Sequence, residues 1–281
     1  MSESAQSVAP ITRIQPSRGW VGVNLGELWR HRELLYFLIW RDVKVRYKQT
    51  LLGAAWAILK PLFSMVIFTI IFGRLAEVPT DGAPAPVFYF TALLPWILFQ
   101  DGVSKASASL VAGRSLVTKV YFPRMVVPLA SVLAGLVDFA LSGLVLVAMM
   151  VFYGVRAGPA LWSLPLFLIL TLLASIGVGL WLSALNVAYR DIAYVTPFVL
   201  QAWMYASPVA YSATLIPEGA GRLAYGLNPM AGVIQGFRWA VLGVGQPEAD
   251  MLWISLGVAG LLLVSGVAYF RRVERTFADV I

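Results

Sequence analysis

The sequence predicts an all-α integral membrane protein. Six transmembrane helices follow an N-terminal interfacial amphipathic helix, with a re-entrant or surface-lying element between spans 5 and 6. Three observations carry this. Six long apolar stretches run through the 281 residues, each near the roughly 20 residues that a helix needs to cross a bilayer. The chain is 59% hydrophobic and 12% charged, with a mean hydropathy of +0.79, far from the balance of a soluble domain. The cations are also sorted. If the stretches are numbered as spans, 17 Lys and Arg residues fall on the face that holds both termini and only four (Arg74, Arg156, Arg222, Arg238) on the other. Such a bias predicts cytoplasmic termini.

Residues 1–22 are polar, with scattered Ser, Gln and Pro, and read as a cytoplasmic tail without the apolar core of a signal peptide. Asn24 with Glu27 has the spacing of a capping box and starts a helix over residues 23–50. On that helix Leu25, Trp29, Tyr36, Trp40, Val43 and Tyr47 share one face, and Arg30, Arg41, Lys44 and Lys48 the adjoining one. Aromatics beside cations are the pattern of a helix lying in the headgroup plane; the competing reading is a solvated basic face that only sets topology.

The six-span membrane domain is then residues 51–281. The apolar runs are Leu51 to Phe72, Val87 to about Ser104, Met125 to Tyr153, Leu161 to Leu185, Ile192 to Tyr211 and Met251 to Phe270. Between the second and third lies a basic cytoplasmic segment, residues 105–124, which ends in Lys119, Val120, Tyr121, Phe122, Pro123 and Arg124. Two readings fit its aromatic pair: an interfacial anchor for the next span or a docking knob for a soluble partner. Residues 212–250 on the outer side are too polar to span and too apolar for an ordinary loop. Asn228 followed by Pro229 is an N-cap with proline at the first helical position, and the apolar spacing from Met230 predicts a helix from Pro229 to Leu242. At ~1.5 Å per residue it is about 21 Å long, short of the roughly 30 Å hydrocarbon core. A re-entrant or surface-lying element is expected.

Catalytic constellations are not evident. The one histidine, His31, has no carboxylate or serine arrangement around it, and there is no cysteine. No G-x-x-x-x-G-K-[ST] motif occurs, so any ATP would be bound by another subunit. The net charge of +7 sits beside the spans, where it sets topology and meets anionic lipid, which argues against a nucleic-acid partner. Three ionisable residues fall inside apolar runs. Lys60 can snorkel, Asp101 can pair with Lys105 one turn on, and Asp138 stands near mid-span with no charged residue one turn away. A lone Asp lacks the chain of titratable groups of a proton relay, so structural pairing or helix-packing hydrogen bonds are the first reading for Asp138. The aromatics Trp56, Phe63, Trp96, Phe99, Trp203 and Tyr205 do not all fit interfacial belts. Each taken singly reads first as core packing; as a set they suit the wall of a wide path for an amphipathic substrate such as a glycan.

Taken together, several segments resemble the membrane-spanning permease of ABC-type polysaccharide exporters, which move O-antigen, capsule or teichoic acid. They are the run from Trp40 to Gly53 with Trp56 and Pro61, then Lys119 to Arg124, Leu185 to Val187 with Tyr189 to Asp191, Ser207 to Val209, Asn228 to Met230, and Gly236 to Trp239. The likeness covers about Leu25 to Arg271 in the expected order. It implies a homodimer of six-span subunits, each paired with a P-loop ABC ATPase that holds ATP and Mg, with no cofactor in this chain. It implies export of a lipid-linked O-antigen-type polysaccharide across the bacterial inner membrane. In residue terms, Trp40, Arg41, Lys44, Tyr47 and Lys48 belong to a cytoplasmic gate helix. Lys119, Tyr121, Phe122 and Arg124 couple to the ATPase. Asn228, Pro229, Phe237 and Arg238 form an outer gate. The alternatives are a capsule, teichoic-acid or drug exporter permease, a membrane glycan ligase or acyltransferase, and a proton-coupled carrier built on Asp138.

Overall fold

The computed structural model describes residues 25–48, 53, 55–119, 122–212, 215–216 and 220–277. The expected tail, Asn24 of the capping box, and Tyr121 lie outside them. Every regular element described is helical: α1 Leu25–Arg30, α2 Arg32–Lys48, α3 Ala55–Phe68, α4 Ala85–Ala112, α5 Arg114–Lys119, α6 Val126–Leu133, α7 Gly135–Phe152, α8 Leu164–Ala188, α9 Ile192–Tyr205, α10 Ala220–Gly226, α11 Pro229–Leu242 and α12 Ala249–Val273.

The N-terminal helix expected as one piece is two, α1 and α2, interrupted at His31. Its amphipathic pattern has a protein side: Leu38 is buried against α6, with Leu34, Leu35 and Ile39 beside it, while Trp29, Tyr36, Phe37 and Trp40 stay exposed. α3 continues as a π-helix, Thr69–Leu75, so Ala55–Leu75 is one continuous helical rod. The second run extends further than expected, because α4 holds its helix through Ala112 and takes in the first part of the 105–124 segment. α4 is the hub, packed against α3, α6, α7, α8, α9 and α11.

Small residues let the other helices approach. A Cβ built on Gly177 of α8 would lie 2.7 Å from the backbone of Leu262 and Leu263 on α12, and one on Gly266 would strike Gly177. Trp181 Nε1 donates to Ser265 Oγ at 3.1 Å and its ring stacks on Tyr269 at 4.2 Å. These contacts advance together along both helices, so α8 and α12 run parallel. Close parallel packing through small residues is how helices associate without a hydrophobic drive between them.

Five helical rods among the described residues are long and apolar enough to cross a membrane: Ala55–Leu75, Ala85–Ala112, Val126–Phe152, Leu161–Ala188 and Ala249–Val273. The remaining expected span, Ile192 to Tyr211, is helical only as α9, 14 residues and about 21 Å at ~1.5 Å per residue. Pro208 explains the stop, since a proline removes the N–H that would continue the helix and disfavours helical backbone before it. The chain nonetheless travels the length of α4 there. Asn186 Nδ2 donates to the Ser107 carbonyl at one end of α4 (2.9 Å), and Ser212 Oγ donates to Asp81 just before the other (2.5 Å).

α11 has the predicted bounds, Pro229–Leu242, but it is not surface-lying. Met230, Val233, Ile234 and Phe237 are buried as α11 packs against α4, α8 and α12. Gly236 faces the Phe167 ring so closely that no side chain fits.

Candidate functional site

Most of the residues expected to matter for function gather at the two ends of the bundle. At the basic end, the last turn of α2 lies over α7 and α4. Arg46 forms an ion pair with Asp138, and the Tyr47 hydroxyl donates to the other oxygen of the same carboxylate. Lys105 Nζ is 3.7 Å from Asp138 and 4.0 Å from Asp101, and Lys60 Nζ is 2.5 Å from Asp101. Asp138 is therefore not the solitary acid its sequence neighbourhood suggested. Three cations and two carboxylates form one chain linking α2, α3, α4 and α7, and each charge has an opposite neighbour, as partly buried charges require. Burial, with the Asp138 hydrogen bond adding to it, pushes the Tyr47 hydroxyl well above the usual phenol range, so it serves as a neutral donor. Above this cluster lies a cavity of about 200 Å³, walled by Trp56, Pro61, Leu94, Leu98 and Phe139. It is an apolar pocket with a charged floor.

Arg41, Lys44 and Lys48 remain on the exposed side of α2 or partly so, away from that cluster. Arg41 reaches only its neighbour Asp42, at 2.9 Å. Trp40 is exposed on the same helix.

At the opposite end, the Asn228 side chain organises the entry to α11. Its Oδ1 accepts from Met230 N at 3.1 Å, as an N-cap does, and also from Trp203 Nε1 at 2.9 Å. Its Nδ2 donates to the Ala206 carbonyl and to Ser207 Oγ. Arg238, 3% exposed, donates to the Tyr211 and Val209 carbonyls, each at 2.9 Å, and its guanidinium lies 3.7 Å from the Phe88 ring centroid. Both residues tie the turn after α9 onto α11. Pro229 begins that helix, and the Phe237 ring meets Phe139 and Phe167. The four expected outer residues thus belong to one assembly. Tyr211 and Tyr225 join it through a hydroxyl pair at 2.7 Å.

The aromatics expected as one wall divide into two groups. Trp96 and Phe99 have no exposure and pack in the core, Phe99 edge-on to Trp203 at 5.1 Å, so they face no path in this structure. Trp203 is half-buried and engaged with Asn228. Trp56, Phe63 and Tyr205 are each more than half exposed. Sequence reasoning missed the residues that share a face of α9 with Tyr205. Tyr194, Phe198, Gln201 and Tyr205, spaced four, three and four residues apart, form an exposed stripe. That spacing was legible as a helical face; what singles it out is that none of the described helices covers it.

The docking expectation for Lys119 to Arg124 also changes. Phe122 is 6% exposed and sits in a core cluster with Leu38, Met125, Phe270 and Phe277. A ring already buried in its own subunit cannot anchor a partner, so the paired Tyr121 and Phe122 knob is corrected to a single unassigned position, Tyr121, outside the described residues. Arg124 faces the chain's own Glu274. Lys119, with Arg114 and Ser115 on α5, is exposed.

A bundle of long apolar helices, with its intramembrane charges paired in one cluster, is that of a multi-pass membrane protein. The chain belongs to the ABC-2 type transporter family, whose sequence profile matches residues 33–242. That is a family of transporter permease subunits, which are not themselves enzymes. Among its relatives, the O-antigen export system permease protein RfbA of Myxococcus xanthus is 30% identical over 257 residues, 91% of this chain and 98% of that protein. A Klebsiella pneumoniae protein of the same name is 28% identical, over 92% and 97%. The polysialic acid transport protein KpsM of Escherichia coli is 24% identical, over 84% and 92%.

Proposed function

We propose that this chain is the membrane-spanning subunit of an ATP-driven exporter of lipid-linked O-antigen-type polysaccharide, working as a homodimer with a separate P-loop ATPase that carries ATP and Mg. The observation that carries this reading is similarity to proteins named O-antigen export permeases over nearly the full length of both chains. Six traverses, both termini cytoplasmic, fit the route of the chain: five long rods, and α9 with the turns after it returning along α4. On this reading the basic end is cytoplasmic, α2 is the gate helix, and α10 and α11 are the re-entrant pair of an outer gate. The exposed Trp56 and Phe63 on α3, and Tyr205 with the α9 stripe, would offer a glycan flat contact without tight polar binding. The exposed face of α5, with Arg114 and Lys119, is the proposed docking surface for the ATPase.

The test is deletion and complementation in the source bacterium. The expected result is loss of O-antigen from the cell surface with accumulation of the lipid-linked polymer inside, restored by this chain together with its ATPase. The purified subunit alone should hydrolyse no ATP above background. Normal surface O-antigen in the deletion strain, with loss of capsule instead, would transfer the reading to capsular polysaccharide, which the KpsM relative makes the second candidate.

A further inference from the structure

We propose that the turn after α12, Glu274 to Phe277, is a brace that sets the position of the coupling turn at Phe122 to Met125, with Glu274 as its positioning residue. The brace rests on geometry; that the turn it holds serves ATPase coupling rests on the reading above.

Arg124 lies in the turn two residues before α6, whose own first amides, Val126 and Val127, bond to the Pro123 and Arg124 carbonyls. The Arg124 N–H donates to Glu274 Oε1 at 2.9 Å, and its guanidinium donates to the Glu274 main-chain carbonyl. A carboxylate close to the start of a helix is also favoured by the helix dipole. The other carboxylate oxygen is held by Arg271 Nη1 at 3.6 Å, one turn back on α12. Glu274 is therefore fixed by its own helix on one side and grips the turn on the other.

An apolar plug backs this polar contact. Phe277 has no exposure and meets Phe270 edge-on at 5.3 Å, in the same cluster as Phe122, Met125, Leu110 of α4 and Leu38 of α2. The chain continues past α12 as a 3-10 turn, Glu274–Thr276, that keeps Phe277 against this cluster. In consequence, α12 and α2 must move with the turn whenever the turn is displaced, because close-packed side chains transmit displacement with little give. A force applied at α5 thus reaches the gate helix and the last span together. Glu274 should matter for conversion of ATP hydrolysis into transport and not for holding the partner, whose proposed surface lies on the exposed side of α5.

The experiment has two readouts. In the full-length permease alone, hydrogen exchange of the Arg124 amide should quicken by about tenfold or more in Glu274→Ala, because that amide loses its acceptor. Glu274→Gln, which keeps an acceptor oxygen, should hold exchange near the wild-type rate. In proteoliposomes with the ATPase, Glu274→Ala should retain the partner on purification and keep basal ATP hydrolysis, while polysaccharide moved per ATP falls several-fold; Glu274→Gln should recover most of it. Unchanged exchange at Arg124 would overturn the brace, as would faster exchange with an unchanged transport ratio. If the wild-type chain retained no ATPase, the coupling reading would fail, and the exchange measurement would still decide the brace.

Discussion

Arg46 and Asp138 are 92 positions apart in the chain and form an ion pair that fastens the end of α2 to α7. The Tyr47 hydroxyl shares the carboxylate, and Lys105 stands 3.7 Å away. The pair gives a mid-span acid a structural task. It also makes the proposed gate helix part of a charge network that continues to Asp101 and Lys60.

Asp138→Asn should keep the Tyr47 hydrogen bond and lose the charge that balances Arg46. A double-mutant cycle with Arg46→Gln, read from thermal unfolding in detergent, should give a coupling of about 1–2 kcal/mol, in the range of contacting pairs. Zero coupling would show that the pair does not form. Surface glycan should persist in Asp138→Asn cells at normal protein abundance; abolished export would point instead to proton coupling.

Asn228→Ala removes the cap of α11 and leaves the Trp203 indole N–H without its acceptor. Cap loss costs about 1 kcal/mol and an orphaned buried donor about 1–3 kcal/mol more. The unfolding midpoint should fall accordingly, and a midpoint within error of wild type would refute the assembly at this end. Arg238→Lys should fail to preserve stability although it keeps the charge, because one ammonium cannot reproduce two guanidinium bonds to the Val209 and Tyr211 carbonyls and the face-on contact with Phe88.

Gly177→Ala should destabilise by about 1–3 kcal/mol, the usual range for overpacking, because its new methyl group meets the α12 backbone. Gly143→Ala is the matched control: nothing lies within 4 Å of a Cβ there, so a shift inside about 0.5 kcal/mol is expected. Equal shifts for both variants would mean that α8 and α12 do not touch at Gly177.

Phe122→Ala should act on folding and not selectively on partner binding. Emptying a buried phenylalanine site costs about 3–5 kcal/mol, and permease abundance should drop before any loss of ATPase association can be measured. Charge reversal at exposed Arg114 and Lys119 should do the opposite, leaving abundance intact while weakening co-purification of the ATPase. Normal abundance of Phe122→Ala with loss of the ATPase would restore the docking role for this ring.

Some of the architecture was legible because its causes are local. Hydropathy over about 20 residues marks a span whatever surrounds it, and five of the six expected stretches are helical rods long enough to cross. The bounds of α11 followed from an Asn cap, a proline at the first position and a 3.6-residue period, all contained within Asn228 to Leu242. The failure of α9 to reach spanning length was written in Pro208, but apolar residues beyond it concealed the stop.

Only the tertiary structure decided which residues meet. The partners of Asp138, the grip of Glu274 on Arg124, and the hold of Asn228 and Arg238 on the turn after α9 join positions far apart in sequence. Burial of Trp96, Phe99 and Phe122 was likewise invisible, while Trp56, Phe63 and Tyr205 stayed exposed. In water, an apolar stripe reveals which side of a helix faces the core. In a bilayer, lipid tails are as apolar as leucine, so composition and period identify the helices but not which aromatic faces protein, lipid or path.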